Sequence, residues 1–256
     1  MKNKPLIIFL AVLFLLIFVA LILSPYYKKQ EHKVAPVSKG RIAIVIDDWG
    51  YHLDNLEIAR QIKQPLTVAI LPGLKNTRMV NQKLHELGFE VILHLPMEPK
   101  EKHRLEKDTI AMSMDQEQIR RILDQDLATV TFAKGVSNHM GSRITEDINL
   151  SSMVMSEIKK HNLYFLDSFV TGKSICAPLA KKKKLRFAQR DIFLDNQDEP
   201  GYIRNQVSLL KKIARARGLA IGIGHDRKNT LLILKELLPQ LAKEGYKFVF
   251  ISEIAK

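Results

Sequence analysis

Acidic and imidazole side chains follow strongly apolar segments of this chain, at the point where each segment ends. Asp47 and Asp48 come directly after five consecutive apolar residues, and His94 and His139 follow two later apolar segments. The carboxyl ends of parallel strands meet at one edge of a sheet, which is where α/β proteins bind their ligands. We therefore expect these side chains to lie close together. Carboxylate and imidazole groups in one concave site suit Zn²⁺ or a similar divalent ion.

Similar side chains stand at the ends of most apolar segments. Taken singly, an aspartate in such a position often caps the next helix, and a lone histidine is more often a hydrogen-bonded core residue than a ligand. For Asp191 and Asp195 that interpretation has about as much weight as a functional one. It has much less weight for Asp48, His94 and His139 taken together. The full set of strand-end residues is Asp47, Asp48, His94, Glu98, His139, Asp167, Asp191, Asp195 and His225.

Apolar runs of strand length alternate with segments of helical periodicity from Arg41 to the C-terminus. The pattern predicts seven or eight strand–helix units in roughly 215 residues. That number favours a closed or nearly closed parallel barrel over an open doubly wound sheet. The predicted strands are 42–47, 66–71, 89–95, 135–139, 163–167, 186–193, 219–225 and 247–251. The clearest predicted helices are 53–63, 76–87, 149–161, 199–217 and 229–243.

The N-terminus carries an uninterrupted apolar stretch, Leu6–Leu23, which is roughly the length needed to span the hydrocarbon core of a bilayer. It lacks a clear Ala-x-Ala cleavage site, which favours an uncleaved anchor over a signal peptide. We therefore predict an N-terminal membrane anchor (or signal peptide) at 1–23, a linker at 24–40 and a barrel domain at 41–256. The expected location is the cytoplasmic membrane, single-pass, with the domain on the outer side.

Composition limits the class of protein. A chain of 256 residues with 46% hydrophobic content and one cysteine is neither a disordered tail nor a disulfide scaffold. Residues 1–40 hold six Lys and one Glu, a net charge of +5, which leaves +8 of the total of +13 for the remainder. The densest basic run, Lys181–Lys184, has no interleaved aromatic residues, so we expect a solvated face and no nucleic-acid partner.

The strand-end segments resemble those of the polysaccharide deacetylases of the NodB-like superfamily, and within it the divergent polysaccharide deacetylases. The resemblance runs from Arg41 to the C-terminus. Ile46-Asp47-Asp48 is similar to the first motif of the superfamily, which implies that Asp47 is the catalytic base and Asp48 a metal ligand. Ile223-Gly224-His225-Asp226 resembles the fifth motif, which implies that His225 is the acid toward the leaving amine. The implied fold is a NodB-like (β/α)7–8 barrel, a distorted parallel barrel, preceded here by an N-terminal transmembrane helix.

The second motif is altered in this sequence. In the superfamily two histidines four residues apart complete the metal triad; His94 takes the first position, and Glu98 stands where the second is expected. The segment Asn138-His139-Met140-Gly141-Ser142 offers His139 as the third ligand, with Glu98 as the alternative. The resemblance thus implies a divalent metal, and Zn²⁺ before others, held by Asp48, His94 and His139.

Further roles follow from weaker similarities. Arg190-Asp191 resembles the fourth motif, which implies that Asp191 assists catalysis by holding or tuning the base. Glu98, Asn138, Arg190 and Asp167 are expected to contribute to substrate binding.

The expected function is that of a metal-dependent hydrolase that removes N- or O-acetyl groups from an envelope polysaccharide. One acid and one base on opposite flanks of a metal predict a bell-shaped pH profile. The alternative is a catalytically inactive deacetylase-like barrel that binds glycan or an envelope partner. A metal-dependent glycosidase or phosphoesterase ranks last because the sequence shows no obvious second metal cluster.

Overall fold

The structure is a computed structural model that describes residues 4–27 and 38–256. It divides into two compact units, Met1–Val37 and Ser38–Lys256. The described part of the first unit is the helix α1 (Lys4–Tyr27). Within the described residues, no helix is long and apolar enough to cross a membrane. The transmembrane helix predicted at 1–23 has no support from this finding, and residues 28–37 of the predicted linker lie outside the described residues.

Strands and helices alternate through the second unit, as the sequence pattern predicts. The strands are β1 (Gly40–Trp49), β2 (Thr67–Ile70), β3 (Glu90–Met97), β4 (Gly135–Met140), β5 (Tyr164–Asp167), β6 (Phe187–Gln189), β7 (Ile192–Phe193), β8 (Leu219–His225) and β9 (Tyr246–Phe248). The helices are α2 (Leu56–Ala59), α3 (Thr77–Glu86), α4 (Gln116–Leu127), α5 (Ser142–Glu146), α6 (Ile148–Lys160), α7 (Cys176–Lys183), α8 (Pro200–Arg217) and α9 (Lys228–Lys243), followed by a 3₁₀ turn (Ile251–Glu253).

The described strands form one parallel sheet in the order β6-β5-β4-β3-β2-β1-β8-β7, with β9 paired to the start of β1. β6 and β7 lie at opposite ends of this order, yet only two residues connect them. Such a connection spans at most about 11 Å, so the two edges of the sheet must come close together. The sheet is therefore curled into a partly closed barrel. This confirms the prediction of a distorted parallel α/β barrel.

The apolar run of β1 is buried on both faces because the sheet has a core on each side. Ile42, Ile44 and Ile46 pack in the outer core with the helices, whereas Ala43 and Val45 belong to the inner core of the barrel. Alternate residues of a strand point to opposite faces, so an uninterrupted apolar run is what this position requires. The interior is thus packed with side chains, and ligands are restricted to the ends of the barrel.

The C-terminal segment covers one of those ends. Val249 N–H bonds Ile42 near the start of β1, Ile251 N–H bonds Thr67 at the start of β2, and the Lys256 backbone pairs with Phe187 at the start of β6. Each contact lies at the amino end of a strand. The carboxyl ends of the strands are therefore the open end of the barrel, where the strand-end residues stand.

Two predicted elements differ most from the structure. The helix predicted at 53–63 is limited to α2, four residues long. The strand predicted at 186–193 is interrupted at Arg190–Asp191 and forms two strands on opposite edges of the sheet, β6 beside β5 and β7 beside β8. The interruption occurs because the chain must pass from one edge to the other to close the barrel.

Candidate active site

β1 carries two consecutive carboxylates into one site because its pairing with β2 is irregular at its end. The register passes from Ile46↔Val68 to Trp49↔Ile70, so β1 has one more residue than β2 across this interval. Asp48 lies in this bulge with φ of 66°, in the left-handed region that is uncommon for residues other than glycine. In a regular strand the two side chains would point to opposite faces. Here both reach the same imidazole: His94 Nε2 lies 3.6 Å from Asp47 Oδ2 and 3.2 Å from Asp48 Oδ1.

The three predicted metal ligands converge on one point. Asp48 Oδ1 lies 3.2 Å from His94 Nε2 and 3.0 Å from His139 Nδ1, and the ligand atoms of all three residues lie within 4.8 Å of one another. Ligands about 2.0–2.1 Å from a tetrahedral zinc are about 3.3–3.4 Å from each other, close to the two distances to Asp48. The donor set, one carboxylate and two imidazoles, also suits Zn²⁺. The residues therefore fit a divalent ion.

The two carboxylates have opposite electrostatic behaviour. Burial on its own raises the pKa of Asp48, but hydrogen bonds with His139 and His94, and their charges, hold that pKa well below its usual range. Burial raises the pKa of Asp47, although the charges of His94 and His225 oppose the rise. Asp47 Oδ1 is also buried without a hydrogen-bond partner among the described residues. The surroundings of Asp48 thus favour its charged form, which suits a cation ligand, whereas Asp47 has the raised proton affinity of a general base.

His225 ends β8 directly beside the carboxylates, since Asp47 and His225 are paired in the β1–β8 ladder. Its Nδ1 lies 2.7 Å from Asp195 Oδ1, and its backbone N–H donates to Asp195 Oδ2 at 2.8 Å. The Thr230 hydroxyl donates to the same Oδ2 at 2.6 Å, and Asp195 is fully buried. Burial lowers the pKa of His225, but the hydrogen bond and charge of Asp195, with the charges of Asp48 and Asp47, raise it above its ordinary value. His225 is therefore set up to be protonated and to donate a proton.

Arg190 supports His225 through an intervening ring. Its guanidinium lies 3.6 Å from the centre of the Phe193 ring, and that ring stacks on His225 with 5.7 Å between centres and 22° between planes. Arg190 also donates to the backbone carbonyls of Ser168 and Phe169. Arg190, predicted to bind substrate, thus has its donors bonded within the protein and stands one ring away from His225.

Asp191, predicted to assist catalysis, makes its hydrogen bonds away from the metal-ligand cluster. Its carboxylate bonds Arg217 at 2.6 Å and the N–H of Ile221 at 2.8 Å. Ile221 precedes His225 by four residues in β8, which is about 13 Å along a strand. Asp195, four residues after Asp191, reaches His225 instead. The signal for Asp195 was present in the sequence, because an apolar run, Ile192–Leu194, directly precedes it.

The remaining predicted residues lie near the site with their polar groups engaged. Glu98 Oε1 accepts from Arg143 at 2.8 Å, and Oε2 accepts from the N–H of Met112 at 2.8 Å, so Glu98 is outside the ligand cluster. Asn138, which is buried, donates to the Met140 carbonyl and accepts from the Ser168 N–H. This placement favours His139 over Glu98 as third ligand and gives Asn138 a part in shaping the loops after β4 and β5.

Asp167 has a similar structural position at the end of β5. It is fully buried, and it accepts from the Phe169 N–H at 2.8 Å and from the Ser174 hydroxyl at 2.7 Å. Burial raises its pKa, despite these hydrogen bonds. A side chain without exposed surface does not contact a substrate directly, so Asp167 orders the loop that follows β5.

A cavity of about 450 Å³ is lined by residues at or after the ends of β3, β4 and β5. Met140, the sequence neighbour of His139, is one of them. Its walls combine hydroxyl, carboxylate and ammonium groups, from Lys100, Glu101, Ser142, Glu146, Thr171 and Lys173. Polar groups of both charges around an open cleft suit a ligand that carries many hydroxyl groups.

A curled parallel sheet with an Asp–His–His cluster at the carboxyl ends of its strands defines a NodB-like barrel. The chain belongs to the divergent polysaccharide deacetylase family, whose family model matches residues 44–255. This confirms the resemblance noted in the sequence.

Known relatives share much of the chain. The uncharacterized protein YibQ of Escherichia coli (strain K12) is 35% identical over 207 residues, which are 81% of this chain and 65% of YibQ, so the match spans just under two thirds of that relative. The crystal structure of the uncharacterized protein ATU2773 from Agrobacterium tumefaciens C58 has a TM-score of 0.81 at 23% identity, covering 86% of this chain and 91% of that one. A family 4 carbohydrate esterase from Streptomyces lividans in complex with acetate has a TM-score of 0.53 at 15% identity, covering 82% and 92%. At these identities the solved structures show a shared fold.

Proposed function

We propose that this protein is a metal-dependent hydrolase that removes N- or O-acetyl groups from an envelope polysaccharide. The observation that carries the proposal is the arrangement of Asp48, His94 and His139 together with buried Asp47 and its ladder neighbour His225. A base with raised proton affinity and an acid whose pKa is raised by Asp195 are the two groups that acyl transfer to water requires.

Asp48, His94 and His139 would hold the ion. When bound there, a divalent ion would act as a Lewis acid toward the acyl carbonyl and the attacking water. Asp47 accepts the proton of that water as it attacks the acetyl carbon. His225 donates its proton to the departing nitrogen or oxygen of the sugar, with Asp195 stabilising the imidazolium before transfer. Net products are acetate and the free amino or hydroxyl group.

The substrate class is inferred from the family, from the polar cleft formed after β3, β4 and β5, and from the acetate complex of the Streptomyces esterase. The envelope location rests on the apolar stretch at residues 6–23 alone. Reporters fused after Lys256 test this location. Activity of a reporter that works only outside the cytoplasm would support a domain on the outer side of the membrane. Activity of a reporter that works only in the cytoplasm would place the domain away from the proposed substrate.

The function is tested by acetate release from acetylated polysaccharides and from N-acetylglucosamine oligomers, using the full chain supplied with Zn²⁺. Asp47→Asn keeps the shape of the side chain and removes the base, so turnover should fall by about 10²- to 10⁴-fold while Zn²⁺ binding is kept. Glu98→Gln, which changes a carboxylate outside the cluster, is the matched control and should keep turnover. Glycan binding without acetate release by the parent protein would instead support the inactive barrel.

A further inference from the structure

Ser137 contacts the metal-ligand residue His94 at the ring nitrogen that faces away from Asp48. It lies in β4 directly opposite His94 of β3 in the parallel ladder, and its Oγ is 2.7 Å from His94 Nδ1. Ser137 is fully buried and His94 nearly so. The other ring nitrogen, Nε2, is the one that faces Asp48 at 3.2 Å. The imidazole therefore has one nitrogen toward the cluster and one toward Ser137.

We propose that Ser137 is a positioning residue that fixes the orientation and tautomer of His94 for metal binding; the inference rests on the metal site of the proposed function. A neutral imidazole carries one N–H and one lone pair, and only the lone pair binds a metal. When Nδ1 donates its proton to Ser137 Oγ, the lone pair is left on Nε2, toward Asp48. Hydrogen-bond partners of this kind hold ligand rings and increase metal affinity.

A hydroxyl group is well matched to this position. The site already contains two carboxylates, Asp47 and Asp48, and a third would add repulsion in a buried environment. The hydroxyl oxygen can accept a hydrogen bond from Nδ1–H without adding charge to the site. His225 has a different partner from His94. Its ring is paired with the carboxylate of Asp195, which favours the imidazolium expected of an acid. The two histidines thus have different partners, in keeping with their different roles.

The burial of Ser137 makes its role testable. Because both residues lie on paired strands and Ser137 has no exposed surface, removing the hydroxyl would leave Nδ1 without a partner and the ring less constrained. Ser168 is a suitable control: it is buried at the end of the neighbouring strand β5, and its hydroxyl has no partner among the described residues.

The experiment is calorimetric titration of Zn²⁺ into the full chain. Ser137→Ala should weaken Zn²⁺ binding by about 10- to 100-fold, whereas Ser168→Ala should leave it unchanged. Ser137→Thr, which keeps a hydroxyl, should retain most of the affinity. In ¹⁵N spectra of the zinc-loaded parent, His94 should carry its proton at Nδ1. Thermal melting checks folding; if Ser137→Ala does not fold, Ser137→Cys, of similar volume and weaker hydrogen bonding, makes the same comparison.

The outcomes separate this inference from the proposed function. Zn²⁺ binding of equal strength in the parent and Ser137→Ala, or a His94 proton at Nε2 in the loaded parent, would overturn the role of Ser137 and leave the metal site standing. Failure of the parent itself to bind Zn²⁺ would overturn both.

Discussion

Asp195 offers a direct test of how the fold prepares His225. Its buried carboxylate accepts from His225 Nδ1, from the His225 N–H and from the Thr230 hydroxyl. Asp195→Asn keeps the size of the side chain but removes its charge. It also replaces one acceptor oxygen with an NH₂ group, which cannot accept from any of these donors.

The expected decrease in turnover rate follows from the hydrogen bond that Asp195→Asn removes. A hydrogen bond to a charged group contributes about 1.5–3 kcal/mol. Since about 1.36 kcal/mol of activation free energy changes a rate tenfold, loss of this bond corresponds to a rate decrease of about 10- to 150-fold. The pH profile should also change. Asp195 raises the pKa of His225 against the effect of burial, so removing its charge lets that pKa fall. Because a general acid works only while protonated, the alkaline limb of the profile should move to lower pH.

The assay is acetate release from an N-acetylglucosamine oligomer between pH 5 and 10 with Zn²⁺ present. Asp191→Asn is the matched control, because Asp191 lies four residues away in the sequence and bonds Arg217 and the Ile221 N–H instead of His225. It should leave the alkaline limb in place. An unchanged alkaline limb and rate in Asp195→Asn, or an equal shift in the Asp191 variant, would refute the assignment of Asp195 and His225.

Two further predictions concern stability and packing. Burial and the nearby charge of Asp108 raise the pKa of Asp126 to about 7, so the folded protein binds a proton that the unfolded chain has released. The free energy of unfolding should therefore fall as the pH rises from about 4 to 7. Asp126→Asn should raise the free energy of unfolding at pH 8, measured in urea, by up to about 4 kcal/mol. The same pH dependence in the parent and the variant would contradict this. A Cβ at Gly224 would lie 2.8 Å from Thr230 Cγ2 and 3.4 Å from Asp195 Oδ2. Gly224→Ala should thus cost about 1–3 kcal/mol and lower turnover, whereas Gly172→Ala, with open space around it, should do neither.

The sequence predicts the site residues that lie at the carboxyl ends of parallel strands. Asp48 and His94 follow apolar runs in β1 and β3, His139 stands near the end of β4, and parallel strands bring such ends together. His225 follows in the same way from β8.

Other features depend on contacts between distant segments and could not be predicted in this way. The bulge at Asp48 is defined by the register of β1 against β2, which periodicity does not reveal. The break between β6 and β7 arises from closure of the barrel, since residues 186–193 are nearly continuous in strand character. This break decides which aspartate reaches His225, because it sets β7 against the middle of β8 and places Asp195 at its end.

Elemental analysis of the purified full chain tests whether Asp48, His94 and His139 form a metal site. We expect about one equivalent of Zn²⁺ or another divalent ion in the parent, lost in Asp48→Ala and His139→Ala and kept in Glu98→Ala. Absence of bound ion in the parent even after Zn²⁺ is added, or loss of the ion in Glu98→Ala with retention in His139→Ala, would contradict it.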